Sequence, residues 1–122
     1  MVVCSEPDWG TFTIDHDNRK AIEEIAAFWS SSFRNPWIGR QLLNLLREAG
    51  FVDTEVKGTL LIAPSFEASD RVFDLEQTAV RLSQATGTRE PLDWIASARE
   101  RDRSLPVWSS VTLFISSARK PL

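Results

Sequence analysis

The chain has 122 residues, 43% of them hydrophobic and 25% charged, which suits one compact domain over 1–122 with a modest core and excludes extensive disorder. Its 17 acidic and 14 basic residues give a net charge of −3 and exclude the basic footprint of a nucleic-acid or anionic-membrane binder. A single cysteine and a single histidine exclude an internal disulfide and an ordinary zinc site, and no apolar stretch is long enough to cross a bilayer.

A cytoplasmic protein in a reducing compartment is therefore expected, with Cys4 as a small core residue. Met1 to Ser5 is an apolar run ending in a polar residue and predicts a strand buried on both faces. Glu6 to His16 is interrupted by Pro7 and Gly10 and reads as a loop leaving that strand's carboxyl end. Asp15 or Asp17 is placed to cap a helix that carries Ile22, Ile25, Ala26, Trp29 and Phe33 at helical spacing and ends near Asn35-Pro36. A second helix places Ile38, Leu42, Leu45, Leu46 and Ala49 on one stripe. Gly50 supplies its left-handed stop and Phe51 packs back on the last turn.

Val52 to Ile62 predicts a strand with an irregularity at Gly58, ended by Pro64. Ser65 or Ser69 opens a third helix with Val72, Leu75, Ala79 and Leu82 on its face, running to Gly87. A fourth starts with Pro91 in its first turn and carries Leu92, Ile95 and Ala98, with Arg99 to Arg103 as a solvated end. Val107 to Ser116 is apolar on both faces near its end and predicts a central strand. The order is α/β with three strands and about four helices, and three strands make a small sheet with much edge to hide.

No glycine-rich phosphate loop, nucleophile elbow or paired metal-ligand motif is present. In open α/β sheets ligands sit outside strand carboxyl ends, which directs attention to Glu6, Asp8 and Trp9. Glu6 and Asp8 suit orienting a substrate hydroxyl or taking its proton, and equally suit satisfying neighbouring backbone N–H groups. Trp9 suits the wall of an apolar pocket or the edge of a core. His16 has the one side chain titrating near neutrality, fit for a general base or for a plain surface position beside Asp15 and Asp17. Between the first two helices, Arg34, Trp37 and Arg40 suit binding a substrate carboxylate or tying the helices to the first strand's loop.

The strings Val2-Val3-Cys4-Ser5-Glu6-Pro7-Asp8-Trp9-Gly10, Trp37-Ile38-Gly39-Arg40-Gln41-Leu42, Leu46-Arg47-Glu48-Ala49-Gly50-Phe51 and Leu113-Phe114-Ile115-Ser116-Ser117-Ala118-Arg119-Lys120-Pro121 carry a family likeness. In this order they resemble the carboxyl-terminal half of class I S-adenosylmethionine-dependent methyltransferases, in the small-molecule branch that includes ubiquinone and menaquinone biosynthesis enzymes. The resemblance implies a partial Rossmann-like fold whose strands are the fifth, sixth and seventh of that family, the last antiparallel and inserted between the other two. It makes 65–103 a helical insertion on the substrate side.

The resemblance also implies that the four strands holding S-adenosylmethionine are lacking. The chain alone is then expected to bind no cofactor and to be inactive, while the complete fold acts on a small-molecule methyl acceptor. The open first strand, Met1, Val2, Val3, Cys4 and Ser5, is expected to pair with the missing amino-terminal half or with a second copy. A non-catalytic binding or dimerisation module derived from the same fold is the alternative. An isomerase or hydrolase using Asp8 and His16 is a third reading, and it needs both side chains near one pocket.

Overall fold

The computed structural model describes all of residues 1–122. Its elements run β1 (Val2–Ile14), α1 (Arg19–Ser31), α2 (Ile38–Glu48), β2 (Val52–Ala63), α3 (Phe66–Phe73), α4 (Leu75–Thr86), α5 (Glu90–Asp102) and β3 (Ser109–Arg119). The chain is thus α/β with a three-stranded antiparallel sheet in the order β1-β3-β2. No helix is long and apolar enough to cross a membrane. Two compact units are formed, one from Met1–Phe12, Arg34–Leu61 and Val111–Leu122, the other from Thr13–Phe33 and Ile62–Ser110.

The central place of β3 follows from its apolar character on both faces, as the sequence predicts. Its register against β1 is fixed by Asp15 N–H donating to the Trp108 carbonyl oxygen at 2.9 Å, by the Thr13 and Ser110 hydroxyls at 2.8 Å, and by Thr112 N–H donating to Thr11 Oγ1 at 2.8 Å. Each step of two along β1 is matched by a step of two backwards along β3, the mark of an antiparallel pair. Against β2 the same hand recurs, with Arg119 Nε donating to Asp53 at 2.8 Å and the Phe114 ring 3.5 Å from where a Cβ on Gly58 would stand.

β1 corrects the sequence reading in two ways. It continues through Glu6 to Gly10, which the Pro and Gly had marked as a loop, and it lies at the edge of the sheet. An edge strand tolerates Pro7, whose missing N–H has no ladder to break. Gly10 N–H is taken by Asp8 Oδ1 at 2.9 Å and Trp9 N–H by the Pro36 carbonyl oxygen at 3.0 Å, so the backbone groups that a loop would leave to water are satisfied. Nor is its start buried on both faces: Met1 and Val3 are exposed and Cys4 is half-buried.

In the first unit α2 forms where its apolar stripe predicts. Gly50, at φ 92°, stops it, and Phe51 N–H reaches back to the Leu46 carbonyl oxygen at 3.0 Å in the wrapped geometry of a Schellman end. Its first turn lies close against β1: a Cβ on Gly39 would stand 2.7 Å from the Glu6 carbonyl oxygen and 3.0 Å from that of Pro7. β2 runs unbroken through Gly58, and the left-handed residue falls at Asp53 instead, with φ 52°. Val111 and Ala118 are the buried apolar side chains of this unit, while Val3, Trp37, Leu45, Val52, Val56, Leu60 and Leu61 are exposed.

The second unit holds the core. Ile25, Phe66, Phe73, Leu75, Ala79, Leu82, Trp94, Ile95, Ala98 and Val107 are buried, and α4 packs on α1, α3 and α5. Burying side chains of this size contributes about 1.5–3 kcal/mol each for the larger ones. Asn18, rather than Asp15 or Asp17, caps α1 by accepting from Ala21 N–H at 3.1 Å. On α1 the inward side is Ala21 and Ile25, and Phe33 is exposed.

The single helix expected over 65–87 is two helices. Asp74 takes a left-handed backbone, φ 53° and ψ 45°, and ends α3 while starting α4. The turn rotates the inward face, so Phe66 and Phe73 are buried and Val72 is exposed. Ser65 caps α3 through Ala68 N–H at 3.1 Å. Asp102 Oδ1 accepts from both Phe66 N–H (3.0 Å) and Val107 N–H (2.9 Å), tying the end of α5 to the start of α3 and the approach to β3.

The close approach at Gly39 gives a direct expectation. Gly39→Ala forces two backbone carbonyls to move and destabilises the protein by about 1–3 kcal/mol, the usual cost of overpacking. A thermal unfolding midpoint equal to the wild type would contradict this packing.

Candidate functional site

The candidate residues fall into two clusters, one in each unit. In the first, Asp8 is 1% exposed, a position where a carboxylate requires a partner. Arg40 provides it in the two-pronged geometry of guanidinium and carboxylate: Nη2 donates to Oδ1 at 2.8 Å and Nε donates to Oδ2. The same guanidinium lies over the Trp37 ring, 4.5 Å from its centroid, and the Asp8 side-chain hydrogen bond raises the Arg40 pKa above its ordinary value. Trp37 and Arg40 come from the start of α2, whose position is set by Gly39.

Asp8, Trp37 and Arg40 are thus brought together, with both Asp8 oxygens already engaged by Arg40 and by Gly10 N–H. This is a clamp between α2 and β1, and it offers no free carboxylate for taking a substrate proton. Of the other residues singled out, Glu6 is exposed on β1 and Arg34 is exposed between α1 and α2. Trp9 is half-buried, its backbone tied to Pro36.

In the second unit His16 lines a cavity of about 780 Å³ with Asp17, Asn18, Lys20, Ala21, Glu90, Asp93, Trp94, Ser97 and Arg101. That volume lies in the range of small-molecule sites. Two obligate donors converge on one nitrogen of the imidazole: the Trp94 indole Nε1–H at 3.0 Å and Asn18 N–H at 3.1 Å both donate to Nδ1. Nδ1 therefore carries no proton, and the neutral ring holds its hydrogen on Nε2. Ser97 Oγ stands 3.4 Å from Nε2.

Trp94 is itself fixed, 2% exposed, with its ring edge-on to His16 at 5.4 Å and angled against Phe66 at 6.3 Å. Burial lowers the His16 pKa first and the Arg101 charge lowers it further, while Asp17 and Asp15 act in the opposite sense. Arg101 is held by an ion pair to Asp15 at 3.3 Å and by donation to the Asp15 and Pro106 carbonyl oxygens.

His16 is evident from the sequence, and the wall opposite is not. Arg99 to Arg103 had the look of a solvated helix end, yet Arg101 is largely covered and Arg99 pairs with Glu76 at 2.8 Å and lies over Phe66. The signal was present: Glu90, Asp93, Ser97 and Arg101 recur at steps of three and four, one stripe of α5, beside the apolar stripe of Pro91, Trp94, Ile95 and Ala98.

Among known proteins, no family model matches the chain. A curated relative, an "Uncharacterized 37.1 kDa protein in transposon TN4556" of Streptomyces fradiae, is 30% identical over 121 residues, which is 97% of this chain and 34% of that protein. The chain spans about a third of the length of the curated relative it matches.

The titration of His16 follows from this geometry. Its midpoint, read by NMR, is expected below the 6.5 of a solvated imidazole, with nitrogen shifts of the Nε2–H form, and Arg101→Gln is expected to raise it. The unfolded chain takes up this proton at higher pH than the folded one, so the His16 contribution to stability is present above about 6.5 and lost as pH falls through the folded value. A midpoint at or above 6.5, or one unmoved by Arg101→Gln, would contradict the described surroundings.

Proposed function

We propose that the chain is the carboxyl-terminal, substrate-side portion of an S-adenosylmethionine-dependent methyltransferase acting on a small molecule, and that it is inactive without the remainder of the fold. The observation that carries this reading is the sheet order β1-β3-β2, with the last strand antiparallel to both neighbours and between them. That is the arrangement implied by the resemblance for the fifth, seventh and sixth strands. A sheet built by simple consecutive hairpins would have placed β3 at an edge.

Further support comes from the first unit's apolar surface. Two buried apolar side chains against nine large exposed ones is the balance of an element that another segment covers. The chain also spans only 34% of its relative, which leaves ample length for a cofactor-binding half. In this reading the outer edge of β1 at Met1–Ser5 pairs with that half or, in its absence, with a second copy.

In this reading the cofactor is held by the other half of the fold. Gly10 is closed in by Arg40, Trp37 and Asp8, and Gly39 by the β1 backbone, so neither opens a cradle for a ligand. What this portion contributes is a wall that holds an acceptor, because methyl transfer depends strongly on proximity and orientation.

Calorimetric titration with S-adenosylhomocysteine tests the reading. No binding is expected to the chain alone, which should self-associate in the same sample. Micromolar binding is expected to a chimera in which the chain replaces the matching third of the Streptomyces fradiae relative. A folded chimera that binds none overturns the reading, and binding by the isolated chain as a monomer overturns its dependence on another half.

A further inference from the structure

The cavity beside His16 is lined by eight polar or charged side chains and two apolar ones, Ala21 and Trp94, and Trp94 is 2% exposed. This is a poor match to an apolar or quinone-like ligand, whose sites are lined mainly by hydrophobic and aromatic groups. Its hydrogen-bonding pattern is specific. Because Nδ1 of His16 is committed to the Trp94 and Asn18 donors, the imidazole presents Nε2–H and acts toward a ligand as a donor, not as a base.

The present neighbour of that Nε2, the Ser97 hydroxyl, stands at 3.4 Å, near the outer limit of a hydrogen bond, and is readily replaced by a closer oxygen. The ring is held by a buried tryptophan, so the donor is fixed in direction before any ligand arrives, which lowers the cost of binding.

The charges around the cavity are unevenly matched. Lys20 pairs with Glu90 at 3.7 Å and Glu24 at 3.9 Å, and Arg101 pairs with Asp15 at 3.3 Å. Asp17, next to His16, and Asp93, one helical turn before Ser97 on α5, line the same cavity and enter none of these pairs. The cavity therefore combines a fixed donor for oxygen with uncompensated negative charge.

We propose that this cavity is a binding site for a small hydrophilic molecule carrying both hydroxyl oxygens and a cationic amine, of the amino-sugar or amino-alcohol class. One oxygen accepts from His16 Nε2–H in place of Ser97, and the ammonium group lies toward Asp17 and Asp93. His16 is a positioning and specificity-determining residue of that site. As the acceptor site of a methyltransferase it rests on the reading above, but the binding itself requires no methyl transfer.

The test uses the chain as it stands, with glucosamine as the probe and glucose, glucuronate and menadione as comparisons, followed by NMR of the His16 ring and the Trp94 indole N–H. Glucosamine at millimolar concentration is expected to move both sets of resonances, with glucuronate and menadione leaving them in place. Asp93→Asn and Asp17→Asn, both at exposed positions, are each expected to weaken glucosamine about two- to fivefold, the reach of a single exposed charge pair, while leaving glucose unchanged.

Glucuronate or menadione binding as tightly as glucosamine overturns the assigned ligand class. Glucosamine leaving His16 and Trp94 unmoved overturns the site. Either result is independent of S-adenosylhomocysteine binding by the chimera, so failure here and failure of the methyltransferase reading are told apart.

Discussion

Everything in this chain hangs on β3 being hydrogen-bonded on both of its edges. A strand paired on two sides loses its backbone groups from water twice over and must be apolar on both faces where layers cover it. The last segment of the sequence meets that demand with Val111, Leu113, Phe114 and Ile115. Because β3 comes last in the chain and lies between β1 and β2, each of its pairings joins positions far apart in sequence. The fold is consequently rich in contacts between distant positions, as with Thr11 and Thr112 or Asp53 and Arg119.

Two smaller devices rely on polar groups set against buried surfaces. The Asp8–Arg40 pair satisfies a nearly fully buried carboxylate and holds α2 to β1 where Gly39 permits the approach. The indole of Trp94 reaches out of the helical core to fix the imidazole of His16. In the second case the polar side chain is oriented by an aromatic partner that packing has already immobilised. The first device serves architecture and the second leaves a donor facing a cavity, which is why the two clusters carry different functional weight.

Much of the fold was legible in the sequence. The stripe of Ile38, Leu42, Leu45 and Leu46 with Gly50 after it defines α2, and the two-faced apolarity of the last strand puts it in the sheet centre. Pro91 marks the first turn of α5. What escaped has two causes. Gly10 and Pro7 read as breakers because local rules do not count the Asp8 carboxylate that takes up Gly10 N–H. Asp74 splits a continuous apolar pattern through a left-handed backbone that glycine usually signals.

The candidate site was only half legible. His16 stands out as a lone imidazole, but the stripe of Glu90, Asp93, Ser97 and Arg101 resembles any solvated helix face, and a cavity opposite such a stripe is set by tertiary packing. Arg40 was legible as a tie from the helices to the segment that carries Asp8 or as a carboxylate binder, though not which of the two the packing favours.

Cross-strand nuclear Overhauser contacts test the central placement of β3 most directly. The account predicts contacts from Val111 to Ser117 to residues of both β1 and β2, Phe12 opposite Val111 and Gly58 near Phe114 among them, with none joining β1 to β2. Contacts between β1 and β2, or a pattern placing β3 at an edge, would contradict the fold and remove the observation on which the functional reading stands.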